Sequence, residues 1–222
     1  MKIAIINQKG GVGKTTTAVS LASRFAKMEY KTLLADLDSQ ANAAAGLKIG
    51  DISREFKIIN PNFHLFSECD FREKDILDRQ IKINKNAYGI YDYIFFDCPP
   101  VLNMAAVNAI NACDFIIIPV LSGDYYSILG LKDIFKTIHG VKSVPYKILI
   151  TNVNERLAIT KHFSKMVIEK IGDEKVFKNW IRIDSKIKEA PFAGLPIDLY
   201  DNNSKGSIDY GNLALEILNL NI

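Results

Sequence analysis

A chain of 222 residues with 48% apolar and 24% charged residues is long enough to bury a core unaided, and its composition excludes a disordered or fibrous protein. Its net charge of +3 is too small to argue for a nucleic-acid partner by itself. The three cysteines, Cys69, Cys98 and Cys113, cannot all pair and form no CxxC, which fits reduced thiols in a cytoplasm and excludes a disulfide scaffold.

Taken in chain order, short β-branched or aromatic runs alternate with helix-length amphipathic stretches. IAII (3–6), KTLLAD (31–36), FHLF (63–66), YDYIFFD (91–97), DFIIIPV (114–120) and YKILIT (146–151) read as strands. Several are apolar throughout, as strands covered on both faces are. Residues 14–28, 72–84, 101–112, 124–139 and 156–170 carry helical spacing. EAPFAGLP (189–196), punctuated by Pro and Gly, reads as a loop, and SIDYGNLALEIL (207–218) as a closing helix. This alternation predicts an α/β fold with a doubly wound, mostly parallel sheet flanked by helices. No long linker divides it, so residues 1–222 are expected to form one domain, with no helix-turn-helix domain ahead of the first strand. The apolar runs are strand-sized, too short for a membrane span, and the four-residue run Ile3–Ile6 is too short for a secretory leader.

Directly after the first strand comes QKGGVGKTTT (8–17). A strand, a glycine-rich loop and a helix in that order make a P-loop. Gly10, Gly11, Val12 and Gly13 would curl the backbone so that its N–H groups face phosphate oxygens, reinforced by the positive end of the following helix. In this reading Lys14 reaches the β/γ-phosphates, Thr15 sits on Mg²⁺ and Thr16 contacts a phosphate nearer the base. Asp97, at the end of YIFF, occupies the position of a carboxylate that holds Mg²⁺. Capping of the next turn is the other reading of a strand-end Asp.

The ordinary P-loop pattern asks for Gly at position 8, where this chain has Gln8. KGGVGKTT instead resembles the deviant Walker A motif of the ParA/MinD family of ATPases, most closely its small ParA/Soj-type partition proteins. Further stretches carry the likeness through nearly the whole chain. LLADLDSQAN (33–42) is similar to the family's DLDPQGN, with Ser39 for Pro and Ala41 for Gly. YDYIFFDCPP (91–100) is similar to its Walker B strand, and CDFIIIPVLSGDYYSILGL (113–131) to ADxVIIPV…GL. EAPFAGLPIDLYDNNSKGSIDY (189–210) is similar to its EAPxxGxPxxxYDxxSKGAxxY.

The resemblance implies a slow, partner-stimulated, Mg²⁺-dependent ATPase that hydrolyses ATP to ADP and phosphate. Lys9, the extra lysine of the loop, would reach the phosphates held by the other subunit of an ATP-sandwiched homodimer, making ATP a dimerisation switch. Asp38 would orient the attacking water and Asp36 would support the Mg²⁺ shell. Asn152 and Pro191 would frame the adenine. As in the family, the ATP-bound dimer would bind nonspecific double-stranded DNA. It would move a plasmid or chromosome with a ParB-like centromere-binding partner, in the cytoplasm on the nucleoid.

Residues 156–188 hold nine basic and four acidic side chains, a local excess of five positive charges. Lys175, Lys178, Arg182 and Lys186 in this stretch are candidates for phosphate contacts that position without reading bases. A solvated helix face is the alternative. Lys205 sits where ParA relatives carry a DNA-contacting basic residue. The competing class is a membrane-cycling MinD-like ATPase, whose end is a basic amphipathic helix. Here NLALEILNLNI has no Lys or Arg and contains Glu216, so its apolar residues are expected to pack on the protein and no membrane partner is expected. The cysteine spacing matches no iron–sulfur motif.

Overall fold

The computed structural model describes residues 1–49, 56–67 and 89–220. The helical stretch expected at 72–84, and Cys69, lie outside the described residues. Seven strands, β1 (Lys2–Ile5), β2 (Thr32–Asp36), β3 (Phe56–Asn60), β4 (Phe63–Ser67), β5 (Tyr93–Asp97), β6 (Phe115–Leu121) and β7 (Tyr146–Thr151), form one sheet in the order β3-β4-β2-β5-β1-β6-β7. All neighbours are parallel except β3 and β4, a hairpin. The six expected strands are all present. β3 is the addition, a short edge strand whose Ile58 is exposed.

Helices cover both faces. On one lie α1 (Lys14–Lys27), α2 (Asn42–Gly46), α7 (Ser185–Ala193), α8 (Ile197–Tyr200) and α9 (Lys205–Leu218). On the other lie α3 (Met104–Ala112), α4 (Tyr125–Leu129), α5 (Leu131–Val141) and α6 (Ala158–Ile171). Because strand side chains alternate, Ile3, Ile5, Leu34 and Phe95 pack under the first layer and Ala4, Ile6, Ala35 and Phe96 under the second. Phe25 of α1 anchors the first core, with ring centroids 4.3 Å from Tyr93 and 5.3 Å from Phe95. Truncating so buried a ring costs about 3–5 kcal/mol.

Two expected elements differ. The helix read over 124–139 is two helices meeting at Gly130. EAPFAGLP is not a loop throughout, since α7 runs through Pro191 to Ala193. Pro191 lies in the last turn, and Gly194 then adopts φ 73° while its N–H and that of Leu195 return to the carbonyls of Pro191 and Ala190. The Pro–Gly punctuation is therefore a helix stop.

The end of the chain is tied down. Leu213, Ala214 and Ile217 of α9 are buried in the first core. Arg24 of α1 donates to the Ser207 carbonyl and hydroxyl at 2.9 and 2.8 Å. Residues 176–183 run along the outer edge of β7, bonded through Phe177 N–H to Ile148 O and Ile181 N–H to Ile150 O, both 2.9 Å. Carboxylates of α9 hold this strap from outside. Glu216 accepts from the Lys178 and Asn179 N–H groups, and Asp209 accepts from the Arg182 N–H.

Candidate nucleotide-binding site

The C-terminal rim of the sheet gathers most of the residues singled out by sequence. β1 delivers the chain to the glycine loop, which the surrounding structure holds open. Asn7 braces its entrance: the side-chain amide donates to Pro119 O at 2.6 Å, and Oδ1 accepts the Lys9 N–H at 2.9 Å. Thr151 braces its exit with one hydroxyl placed 2.9 Å from Val12 O and 3.1 Å from Val120 O. Gly11 and Gly13 have φ 74° and 93°, conformations that a side chain would strain. α1 then begins with no side-chain cap and no acidic residue in its first turn. Its first N–H groups and positive end are left for an anion.

Lys14, buried in this loop, donates from Nζ to Lys9 O at 3.0 Å. Burial pulls its pKa below that of a free lysine, against the attraction of Asp97 and Asp38. Asp97 is fully buried, and among the described residues neither of its carboxylate oxygens has a partner in full hydrogen-bond geometry, the Thr15 hydroxyl lying close by. Burial raises its pKa to about 8, the Asp36 charge adds to the rise, and Thr15 and Lys14 oppose it. A buried, unpartnered carboxylate is unfavourable unless a cation joins it. With the Thr15 hydroxyl beside it, this oxygen set suits Mg²⁺.

Asp36 is also buried, with its pKa raised to about 6 chiefly by desolvation. It accepts the N–H groups of Asp38 and Ala43 at 3.1 and 3.0 Å, so it clamps both ends of the loop that carries Asp38. Asp38 is nearly buried and accepts the Gln40 N–H at 3.0 Å. Ala41 in the same loop has φ 49° and ψ 41°. That left-handed geometry favours the Gly of the resembled segment.

Thr15 and Thr16 line an open cleft with Val19, Asn42, Ala190 and Pro191. The structure thus brings Pro191 to the phosphate loop. Asn152 does not line this cleft; it is exposed after β7 with φ 55°. Lys9 is turned away from the loop, its ammonium bonded to the Asp124 carboxylate at the start of α4. Asn7, Thr151 and Asp124 escaped sequence reasoning, because their contacts reach across more than 100 residues.

The basic candidates lie elsewhere and differ in their freedom. Arg182 makes a two-pronged pair with Asp209, Nη2 to Oδ1 at 2.6 Å, and lies 3.9 Å from Glu155. Lys186 pairs with Glu189 at 2.7 Å, and Lys175 lies over the Tyr146 ring. Lys178 and Lys205 are exposed. Lys186 and Lys205 flank Asp184, which accepts the N–H groups of Lys186 and Gly206. Cys98 and Cys113 are buried thiols, with Cys113 pushed up to about 12 by burial. Among the described residues no group of three or more His, Cys, Asp and Glu side chains is set to hold a metal, and no helix is long and apolar enough to cross a membrane.

Comparison with known proteins agrees with this geometry. The Soj sporulation initiation inhibitor of Bacillus subtilis is 32% identical over an alignment of 246 positions, covering 97% of each chain. The chromosome partitioning protein ParA of Myxococcus xanthus is 33% identical, covering 97% of this chain and 87% of its own. The septum site-determining protein MinD of Pyrococcus horikoshii, solved with Mg-ADP, superposes with a TM-score of 0.80 at 22% identity, covering 97% of this chain and 95% of its own. Residues 3–197 match the CobQ/CobB/MinD/ParA nucleotide-binding domain. With the uncapped α1, the buried Lys14 and the unpartnered Asp97 all in that stretch, the chain belongs to the CobQ/CobB/MinD/ParA nucleotide-binding family.

Proposed function

We propose that this chain is a ParA/Soj-type ATPase that binds ATP with Mg²⁺, dimerises around it, and as a dimer holds nonspecific duplex DNA. The observation that carries the nucleotide reading is Asp97, a buried carboxylate without a partner beside Lys14, Thr15 and the uncapped start of α1.

In this reading the N–H groups of the loop and of α1 cradle the phosphates, and Lys14 leaves the Lys9 carbonyl to contact the terminal ones. Asp97 and Thr15 would hold Mg²⁺, which would supply Lewis-acid stabilisation of the charge that builds up on the phosphates. Asp38, on the loop clamped by Asp36, orients water for attack on the terminal phosphate. Pro191 packs near the base in the cleft it shares with Thr16. Lys9 completes the site of a second subunit. DNA would meet the exposed lysines Lys178 and Lys205, and a ParB-like partner would hasten hydrolysis and release the DNA.

A MinD-like membrane cycle is the second reading of the family. The docking of α9 weighs against it, since Tyr210, Leu213 and Ile217 are buried against α1 and the sheet.

The test is anisotropy of a random-sequence duplex with ATP, ADP or no nucleotide, with anionic liposomes in parallel. ATP-dependent DNA binding that weakens steeply with salt is expected. Recovery on liposomes with no DNA binding would replace the partition role with a membrane one.

A further inference from the structure

Ser67, Asp36 and Asp97 stand in one row across the rim. Asp36 is in register with Ser67 on one side and with Asp97 on the other. Residues in register on neighbouring strands share a face of the sheet. That face is the one covered by α1 and α2, because two positions earlier on the same strands Leu65, Leu34 and Phe95 all join that core. Ser67 is 3% exposed, and among the described residues its hydroxyl has no hydrogen-bond partner. Both Asp97 oxygens are in the same condition, and Mg²⁺ accounts for them. Nothing so far accounts for Ser67.

A buried hydroxyl without a partner is unfavourable and calls for a state that satisfies it. The acceptor next to it in the row is Asp36. Each oxygen of Asp36 already takes one backbone N–H, but an ionised carboxylate has about four acceptor sites. Asp36 sets the loop of Asp38 and the start of α2, so a third bond to it acts on both.

We propose that Ser67 is a positioning residue whose hydroxyl donates to Asp36 in the nucleotide-loaded protein, fixing the loop from which Asp38 works. This inference rests on the nucleotide reading above. It gives Ser67 no stabilising part in the free protein and a measurable one once Mg²⁺ and nucleotide are bound.

The experiment uses the full chain with Ser67→Ala and Ser67→Thr. It measures Tm without nucleotide, and the binding of a fluorescent non-hydrolysable ATP analogue with Mg²⁺ and with EDTA. Ser67→Ala should leave the free protein's Tm unchanged or slightly raised. It should weaken Mg²⁺-dependent binding by about 10-fold, as loss of an outer-shell partner does, and leave binding in EDTA alone. Ser67→Thr, which keeps the hydroxyl, should restore the affinity. A lowered Tm in Ser67→Ala would mark an ordinary structural hydroxyl and overturn the proposal, and so would an unchanged Mg²⁺-dependent affinity. Failure of the wild-type chain to bind the analogue would instead sink the nucleotide reading, whatever Ser67 does.

Discussion

The Lys9 ammonium is ion-paired to the Asp124 carboxylate of its own subunit, 115 positions along the chain. Asp124 also caps α4 through the Tyr126 N–H and accepts the Ser127 hydroxyl, and the Lys9 bond holds its carboxyl below the usual range. In the proposed dimer Lys9 cannot serve this pair and a second subunit's phosphates together, so there the pair would oppose dimerisation. Asp124→Asn keeps the cap and removes the charge. A partly exposed pair is worth about 0.2–1 kcal/mol, so ATP-dependent self-association should tighten by about 1.4–5-fold for each pair released. Sedimentation with a non-hydrolysable analogue measures it. Lys9→Ala in the same assay should bind nucleotide and stay monomeric.

Asp97 and Asp36, raised by burial to about 8 and 6, make the free protein sensitive to pH. Both pKa values lie above those of the unfolded chain, so the folded state binds protons more tightly. The stability this brings is full below about pH 4 and is lost as pH rises through 6 and then 8. Urea denaturation of the nucleotide-free protein should show stability falling by several kcal/mol over that range. Asp97→Asn should remove most of the fall and abolish Mg²⁺-dependent nucleotide binding.

Gly206 lies in the first turn of α9, where helix propensity alone would favour alanine by about 1 kcal/mol. Its surroundings reverse the sign. A Cβ there would come within 2.6 Å of Ile187 Cγ1 and 2.7 Å of Cδ1, on α7. Gly206→Ala should therefore destabilise the protein by about 1–3 kcal/mol, read as a lower urea midpoint. A rise in the midpoint would show that α7 and α9 are packed less closely than described.

Arg182 and Lys178 separate support from contact. The Arg182 guanidinium is committed to Asp209, so Arg182→Ala should cost about 1–3 kcal/mol of stability. Lys178→Ala should leave stability unchanged. It should weaken ATP-dependent DNA binding and lower the salt slope by about one. Equal DNA affinity in Lys178→Ala and wild type would remove the strap from the DNA surface.

The parts of this molecule that were legible in sequence are those whose signal is local. Six strands were plain because strands covered on both faces are apolar throughout. β3 was missed because FKIIN is short, lies at an edge and mixes Lys57 and Asn60 with apolar residues. α2 was missed because NAAAG looks like a continuation of the preceding turn. The phosphate loop and Asp97 stood out as candidates by their position at the end of a strand, and Asp36 and Asp38 by the family resemblance. The ion pair of Lys9, the double bond of the Thr151 hydroxyl and the orphan hydroxyl of Ser67 did not. Each depends on which strands become neighbours, and adjacent residues carry no trace of that. The basic stretch was visible as charge, but its division into engaged and free cations needed Asp209, Glu189 and Asp184 in place.

The strap at residues 176–183 separates two things that usually change together. Its path is set by main-chain bonds to β7 and by the α9 carboxylates Asp209 and Glu216. Among the described residues Lys178 contributes only its N–H to that path, through Glu216. Its side chain can therefore be exchanged for almost any other without redirecting the backbone. The outer surface is free to drift over generations, acquiring or shedding positive charge one substitution at a time, while the backbone beneath it keeps its path. The charge of this edge can thus change without rebuilding the site at the rim of the sheet.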